Sequence, residues 1–137
     1  MSEPTHEAHE VFKRNAARVP FLDFAPDFID PILSGDKKAT TRCPGPKDTD
    51  HTSDLEAVQS QGWALATCGS TRGFGLLCIN QVEQRSVTAI DDALAKEEGL
   101  ETGEELQRVL RRFYPDLTDD DTVTVLHFNL MKAIREP

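Results

Sequence analysis

The feature that most constrains the fold is a junction at residues 32–42, where an apolar helix end meets a glycine and then a short strand-forming run. Gly35 can adopt the left-handed backbone conformation that ends helices. Alternate residues of a strand share a face, so we expect Thr40 and Arg42 side by side, with Lys37 in the turn before them. This rigid helix-to-strand corner predicts a site for a small polar ligand.

The rest of the chain has the pattern of an α+β domain. Apolar periodicity, turn residues and capping patterns separate the elements. The predicted strands are 21–24, 39–43, 63–68, 74–82 and 123–130, and the predicted helices are 5–17, 26–33 and two that start after Thr88 and Thr102. Because strands and helices do not alternate regularly, we expect a small curled β-barrel decorated by helices.

The length of 137 residues suits one compact domain. Residues 1–19 are interpreted as an N-terminal helical extension and residues 20–137 as the domain. Residues 44–62 begin with a run of turn residues and are predicted to form a long surface loop. A glycine-rich turn is expected to join the third and fourth strands, with Arg72 in it.

Composition limits the classes of function. The net charge of −9 disfavours a sequence-independent grip on nucleic acid, which requires a basic surface. Three cysteines without metal-type spacing favour reduced thiols. No apolar run is long enough to span a membrane, and no secretory signal is visible. We expect a soluble monomer in the cytoplasm or nucleus that does not act at membranes.

Neither a metal nor a cofactor is predicted. His6 and His9 in the segment His-Glu-Ala-His-Glu lie one residue closer than the metalloprotease spacing requires. They are interpreted as part of an exposed helical face.

The junction also resembles a known family signature. The run Ile32-Leu33-Ser34-Gly35, followed by Lys37, Thr40 and Arg42, resembles the signature of ASCH domains, which are related to the PUA fold of RNA-modifying enzymes. The resemblance covers roughly residues 20–132. It implies a PUA-like curled barrel.

The resemblance implies an activity as well. Small bacterial members of the family are amidohydrolases that remove the acetyl group from N4-acetylcytidine with a Lys and a Thr of the signature and a Glu of a later helix. The corresponding residues here are Lys37, Thr40 and Glu98, next to Gly99 at the expected helix end. Other members are thought to bind RNA or act as coactivator modules, and some have been described as nucleases. The alternative is therefore a non-catalytic module that binds single-stranded RNA rather than a nucleoside, or that acts as a coactivator.

The chemistry leaves two assignments open. A threonine hydroxyl needs a base, and a lysine with its ordinary pKa is almost fully charged at neutral pH. Either desolvated Lys37 is the base for Thr40 and Glu98 shuttles the proton, or Glu98 is the base and Lys37 stabilises the oxyanion. Helical periodicity alone does not distinguish Glu98 from Glu97. The resemblance favours Glu98.

Three residues are expected to bind substrate. Arg42 suits a phosphate or carbonyl acceptor because the guanidinium group presents a planar fork of donors. A salt bridge to the acidic helices is its alternative role. Gly35 and Arg72, from the two glycine turns, complete the predicted binding set.

Overall fold

The computed structural model describes residues 19–43, 55–69 and 72–134. The strands are β1 (Phe21–Asp23), β2 (Ala39–Arg42), β3 (Trp63–Cys68), β4 (Arg72–Ser86) and β5 (Thr122–Ala133). The helices are α1 (Ile29–Ser34), α2 (Leu55–Gln61), α3 (Asp92–Glu97) and α4 (Gly103–Phe113), and 3₁₀ turns cover Pro26–Phe28 and Val87–Ala89. None of the described helices is long and apolar enough to cross a membrane.

The five strands form one mixed sheet in the order β1-β3-β4-β5-β2. Strands β1 and β3 are parallel, and the other pairs are antiparallel. The long strands β4 and β5 pair along most of their length, with register shifts between Leu76 and Leu77 and between Ile79 and Gln81. Such irregularities bend and twist a sheet. The sheet curls into a half-barrel, which confirms the predicted α+β, PUA-like architecture.

Both faces of the sheet are covered. Along β5, Val123 and Val125 belong to one buried cluster, whereas Leu126 and Phe128 belong to another. This alternation follows from the two-residue period of a strand. Helices α3 and α4 cover the first face. Elements β1, α1 and α2 add Leu22, Ile32 and Val58 to the second cluster, and most of its other residues come from β3, β4 and β5. The candidate site lies where the covering elements meet the edge strand β2.

The predicted loop at 44–62 is wrong in its second part, because Leu55–Gln61 is the helix α2. Only Ala57 and Val58 of this helix are buried, so its apolar stripe is too short to indicate a helix from the sequence. Residues 44–54, the predicted helix at 5–17 and residues 1–18 of the proposed extension lie outside the described residues.

One of the two predicted helix starts is wrong. Thr88 lies in a 3₁₀ turn and Ile90 has an extended backbone, so α3 begins only at Asp92. Asp91 is the N-cap, and its carboxylate accepts a hydrogen bond of 2.9 Å from the Leu94 amide. Both Thr88 and Asp91 are good capping residues, and the sequence pattern favoured Thr88, the earlier of the two. The second start is confirmed, since Thr102 caps α4.

The junction itself has the predicted form. Pro31 is the third residue of α1, where its missing amide hydrogen costs no helical hydrogen bond. The 3₁₀ turn changes to an α-helix at Ile29, two residues before Pro31. Gly35 has φ +87° and caps the helix C-terminus. The glycine therefore turns the chain from α1 towards β2.

Candidate active site

A cavity of about 200 Å³ lies beside the edge strand β2. One side is polar and consists of residues of the junction together with Glu98, which follows α3. The opposite side is an apolar wall from α4, and β1 with the 3₁₀ turn completes the lining. The polar lining residues are Asp23, Lys37, Thr40, Thr41, Arg42 and Glu98.

The backbone around Lys37 is fixed on both sides. Its amide donates to the carbonyl of Pro31 at 2.9 Å, which ties the turn to α1. The Lys38 amide donates to the Glu97 carbonyl at 2.5 Å, and the Phe128 amide donates to the Lys38 carbonyl at 2.8 Å. The turn is thus held between α3 and β5, so the Lys37 side chain enters the cavity from a rigid base.

Lys37 and Glu98 form a buried ion pair. Nζ of Lys37 lies 3.3 Å from Oε1 of Glu98 and 3.3 Å from its backbone oxygen. Each residue is only 4% exposed. The ammonium group also lies 4.6 Å from the centre of the Phe28 ring. Glu98 is the C-cap of α3, and Gly99 directly after it has φ +85°, a left-handed conformation typical of helix ends.

Burial lowers the pKa of Lys37 from its ordinary value of 10.5, because desolvation disfavours the ammonium form. The charge and hydrogen bond of Glu98 oppose this effect, and the nearby charge of Arg42 adds to it. Desolvation prevails. Lys37 therefore gives up its proton at a lower pH than a lysine in water.

Thr41 is a site residue that the sequence reasoning missed. Its hydroxyl donates a hydrogen bond of 2.6 Å to Oε2 of Glu98. In a strand Thr41 points away from the face that Thr40 and Arg42 share, so the reasoning that selects those two residues passes over it. The same alternation could have identified Thr41, because α3 and Glu98 cover the face of β2 that lies opposite Thr40 and Arg42.

Thr40 and Arg42 lie together, as predicted. Nε of Arg42 donates to the Thr40 hydroxyl at 3.1 Å, and Nη2 donates to the carbonyl of Asp23 at 2.6 Å. The guanidinium carbon lies 5.0 Å from the centre of the Phe24 ring. Because β1 and β2 are the two edges of the sheet, Arg42 bridges the open side of the half-barrel.

The two glycine turns lie outside the cavity lining. Gly35 caps α1 and orients the segment that carries Lys37. Arg72 is exposed at the start of β4, where it pairs in register with Cys68 of β3. The structure thus brings together four of the six predicted site residues: Lys37, Thr40, Arg42 and Glu98.

The apolar wall comes from one face of α4. Leu106 and Leu110 of this face are buried in the core. The same face also lines the cavity with Val109, Phe113 and Tyr114. Phe113 is 41% exposed, so its ring lies at the cavity mouth. Among the described residues, no group of three or more His, Cys, Asp or Glu side chains could hold a metal ion.

Comparison with known proteins places the fold. No protein-family model matches the sequence, and no curated protein sequence does. Solved structures do match. A DUF984-family protein from Enterococcus faecalis V583 superposes with a TM-score of 0.58 at 17% identity, over 90% of this chain and 88% of that one.

Two further solved structures are of ASCH proteins. The ASCH domain from Lactobacillus crispatus JV V101 superposes with a TM-score of 0.57 at 16% identity, over 89% of this chain and 87% of that one. The ASCH protein from Zymomonas mobilis gives a TM-score of 0.54 at 17% identity, over 85% and 73%.

The curled mixed sheet, with a polar cavity at its edge, defines a PUA-like α+β domain. More narrowly, the chain has the fold of ASCH domains, as the resemblance of the junction predicted.

Proposed function

We propose that this protein is an amidohydrolase that removes the acyl group from an acylated pyrimidine nucleoside such as N4-acetylcytidine. The observation that carries the proposal is the buried Lys37–Glu98 pair with threonine hydroxyls beside it in a small cavity. Water is the second substrate, and no cofactor takes part.

A buried ion pair beside a cavity is better explained by a functional role than by a gain in stability. Desolvation of two charges offsets most of their attraction, so such a pair contributes little to stability compared with apolar residues of the same size. Ionisable groups with shifted pKa values that line a cleft are candidates for catalysis. Lys37 meets this description, and Glu98 is the buried carboxylate that pairs with it.

The size and polarity of the cavity suit one substituted ring. At about 200 Å³ it is smaller than the ~300–1,000 Å³ typical of sites for drug-sized ligands. An acylated pyrimidine is flat and apolar on its faces, which matches the aromatic groups of Phe28 and Phe113. The ribose of a nucleoside would then extend into the cavity mouth.

Amide hydrolysis needs a nucleophile, a group that carries protons and a stabiliser of the oxyanion. The hydroxyls of Thr40 and Thr41 are the candidate nucleophiles. The lowered pKa of Lys37 favours this amine as a proton carrier. The Thr41–Glu98 hydrogen bond favours the carboxylate as the base, with Lys37 as the cation next to it.

Acetate release from N4-acetylcytidine, measured by mass spectrometry on purified protein, tests the proposal. Wild type is expected to convert the substrate to cytidine, and Lys37→Met and Glu98→Gln are each expected to slow the reaction by about 100-fold or more. Lys38→Met is the matched control, because it removes an exposed ammonium group one residue away. Intact substrate after prolonged incubation with wild type would contradict the proposal.

A parallel titration addresses the alternative of a binding module. Salt-sensitive retention of single-stranded RNA, weakened in Arg42→Gln and without release of acetate, would identify a non-catalytic RNA-binding domain.

A further inference from the structure

Helix α3 is held at both of its ends by ion pairs that meet on one carboxylate of β4. Oε1 of Glu83 accepts a hydrogen bond from Nε of Arg85 at 2.7 Å, and Oε2 lies 2.9 Å from Nε2 of His127. Nη1 of Arg85 lies 3.4 Å from Oδ1 of Asp91, the N-cap of α3. Nδ1 of His127 lies 3.0 Å from Oε2 of Glu97, the last residue of α3. Glu83 therefore connects both ends of the helix to the sheet.

The contacts of His127 define its protonation state. A neutral imidazole ring carries one N–H group and donates one hydrogen bond, whereas the imidazolium form donates two. An ionised carboxylate only accepts. Burial opposes the ionisation of Glu83, but the hydrogen bonds from Arg85 and His127 prevail and lower its pKa. Both ring nitrogens of His127 face carboxylate oxygens, so the arrangement in the structure is that of the imidazolium form.

The contact that depends on the ring proton is the one with Glu97. A neutral His127 ring keeps one N–H group, and the stronger acceptor retains it. The Glu83 side chain is 23% exposed and that of Glu97 is 47% exposed, so water and salt screen the Glu83 contact less. On the β2 side, His127 pairs in register with the uncharged Ala39, which the exposed Lys38 precedes. Loss of the ring proton therefore releases Glu97.

The end of α3 that His127 holds is also the end that carries Glu98. Glu98 is the C-cap of α3 and directly follows Glu97. The Glu97 carbonyl accepts a hydrogen bond from the Lys38 amide at 2.5 Å, which joins this end of the helix to the segment that carries Lys37. A shift of Glu97 therefore moves the two segments of the buried Lys37–Glu98 pair relative to each other.

We propose that His127 is a positioning residue for Glu98 and that its ring proton makes the candidate site sensitive to pH. The imidazolium form holds the C-terminal end of α3 against β4 and β5, with the Glu98 carboxylate beside Lys37. The neutral form releases Glu97, and the Glu98 carboxylate is then less firmly held. His127 does not line the cavity, so it acts on a reaction there through Glu98. This regulation rests on the proposed hydrolysis, but the positioning itself is measurable without a substrate.

NMR and hydrogen exchange on the ligand-free protein test the positioning. The chemical shifts of the ring nitrogens give the pH at which His127 loses its proton. Across the same transition, the protection of the Lys38 and Glu98 amides relative to their intrinsic exchange is expected to fall by about fivefold, the effect of one partly exposed ion pair. The Tyr114 amide, which donates to the Leu110 carbonyl at 2.7 Å, is the internal reference. Constant protection of the Lys38 and Glu98 amides would overturn the proposal.

Variants separate this role from a general loss of structure. Glu97→Ala removes the acceptor, so the transition in amide protection is expected to disappear although the His127 ring still titrates. His127→Gln carries no titrating ring and is expected to lack the transition as well. Glu101→Ala is the matched control, because it removes an exposed carboxylate near the same helix end. A transition of wild-type size in Glu97→Ala, or its loss in Glu101→Ala, would contradict the assigned contact.

The pH profile of acetate release from N4-acetylcytidine connects the positioning to the proposed reaction. We expect kcat to fall by about fivefold across the His127 transition while KM is unchanged, and Glu97→Ala to lack this component. Hydrolysis by wild type with a kcat that does not change across the transition would overturn the regulatory role. A protein that leaves N4-acetylcytidine intact but shows the transition in amide protection would reject the proposed substrate and support the positioning by His127.

Discussion

The carboxylate of Glu98 and the ammonium group of Lys37 lie 3.3 Å apart, although 61 residues separate them in the chain. Lys37 follows the C-terminus of α1, and Glu98 follows α3, so the buried pair joins two helix ends that are far apart in the chain. This contact links the candidate chemistry to the stability of the fold.

Glu98→Gln is expected to lower the free energy of unfolding by about 3 kcal/mol at neutral pH, because it leaves a buried ammonium group without its counter-charge. Urea denaturation followed by circular dichroism measures the loss. Glu97→Gln is the matched control, since this neighbouring carboxylate is 47% exposed and contacts His127 instead. Equal losses in the two variants would contradict the buried pair.

The pH dependence of stability should reveal the lowered pKa of Lys37. Its folded-state pKa lies below 10.5, so between that pKa and 10.5 the unfolded chain binds more protons than the native protein. The contribution of Lys37 to the free energy of unfolding therefore rises with pH in this window. Lys37→Met is expected to lack that rise in urea denaturation from neutral pH up to 10.5. Loss of the same slope in Lys38→Met would contradict the assignment.

Acid stability should depend on Glu83. Burial opposes ionisation, but hydrogen bonds from Arg85 at 2.7 Å and His127 at 2.9 Å lower the pKa of Glu83 below 4.5. A depressed carboxyl pKa gives stability that is present above pH 4.5 and is lost as the pH falls through the folded-state value.

Glu83→Gln is thus expected to be less stable than wild type by about 1 kcal/mol at neutral pH, a small effect because the side chain is 23% exposed. The difference should vanish in acid. Thermal unfolding across the acidic range measures it, with Glu101→Gln as an exposed charge control. A constant difference at every pH would show that the effect is not ionic.

Helix capping gives a test of the corrected helix start. The Thr102 hydroxyl accepts a hydrogen bond of 3.1 Å from the Glu105 amide, so Thr102→Ala should lower stability by about 1 kcal/mol. Thr88 is exposed and its hydroxyl contacts only Ser86 among the described residues, at 3.3 Å. Thr88→Ala is expected to change the chemical-denaturation midpoint much less. A larger loss of stability in Thr88→Ala than in Thr102→Ala would instead support a helix that starts after Thr88.

Local patterns in the sequence predicted most elements because each has a local physical cause. The stop at Gly35 and the cap at Thr102 depend on backbone groups within a few residues. The helix α2 has too short an apolar stripe to be recognised, and β4 exceeds its predicted length because β5 pairs with it to Ser86. The length of β4 is therefore set by its pairing with β5, which is distant in the sequence.

The sequence by itself determined the ASCH-type fold and placed Lys37, Thr40, Arg42 and Glu98 around one site, since the junction signature carries these residue types. Only the tertiary structure decided which atoms meet. The curl of the sheet puts β2 beside β1, so that Arg42 contacts Asp23, and the packing of α3 directs Glu98 at Thr41. These contacts join segments 19 and 57 residues apart, and neither helical nor strand periodicity encodes distances between such segments.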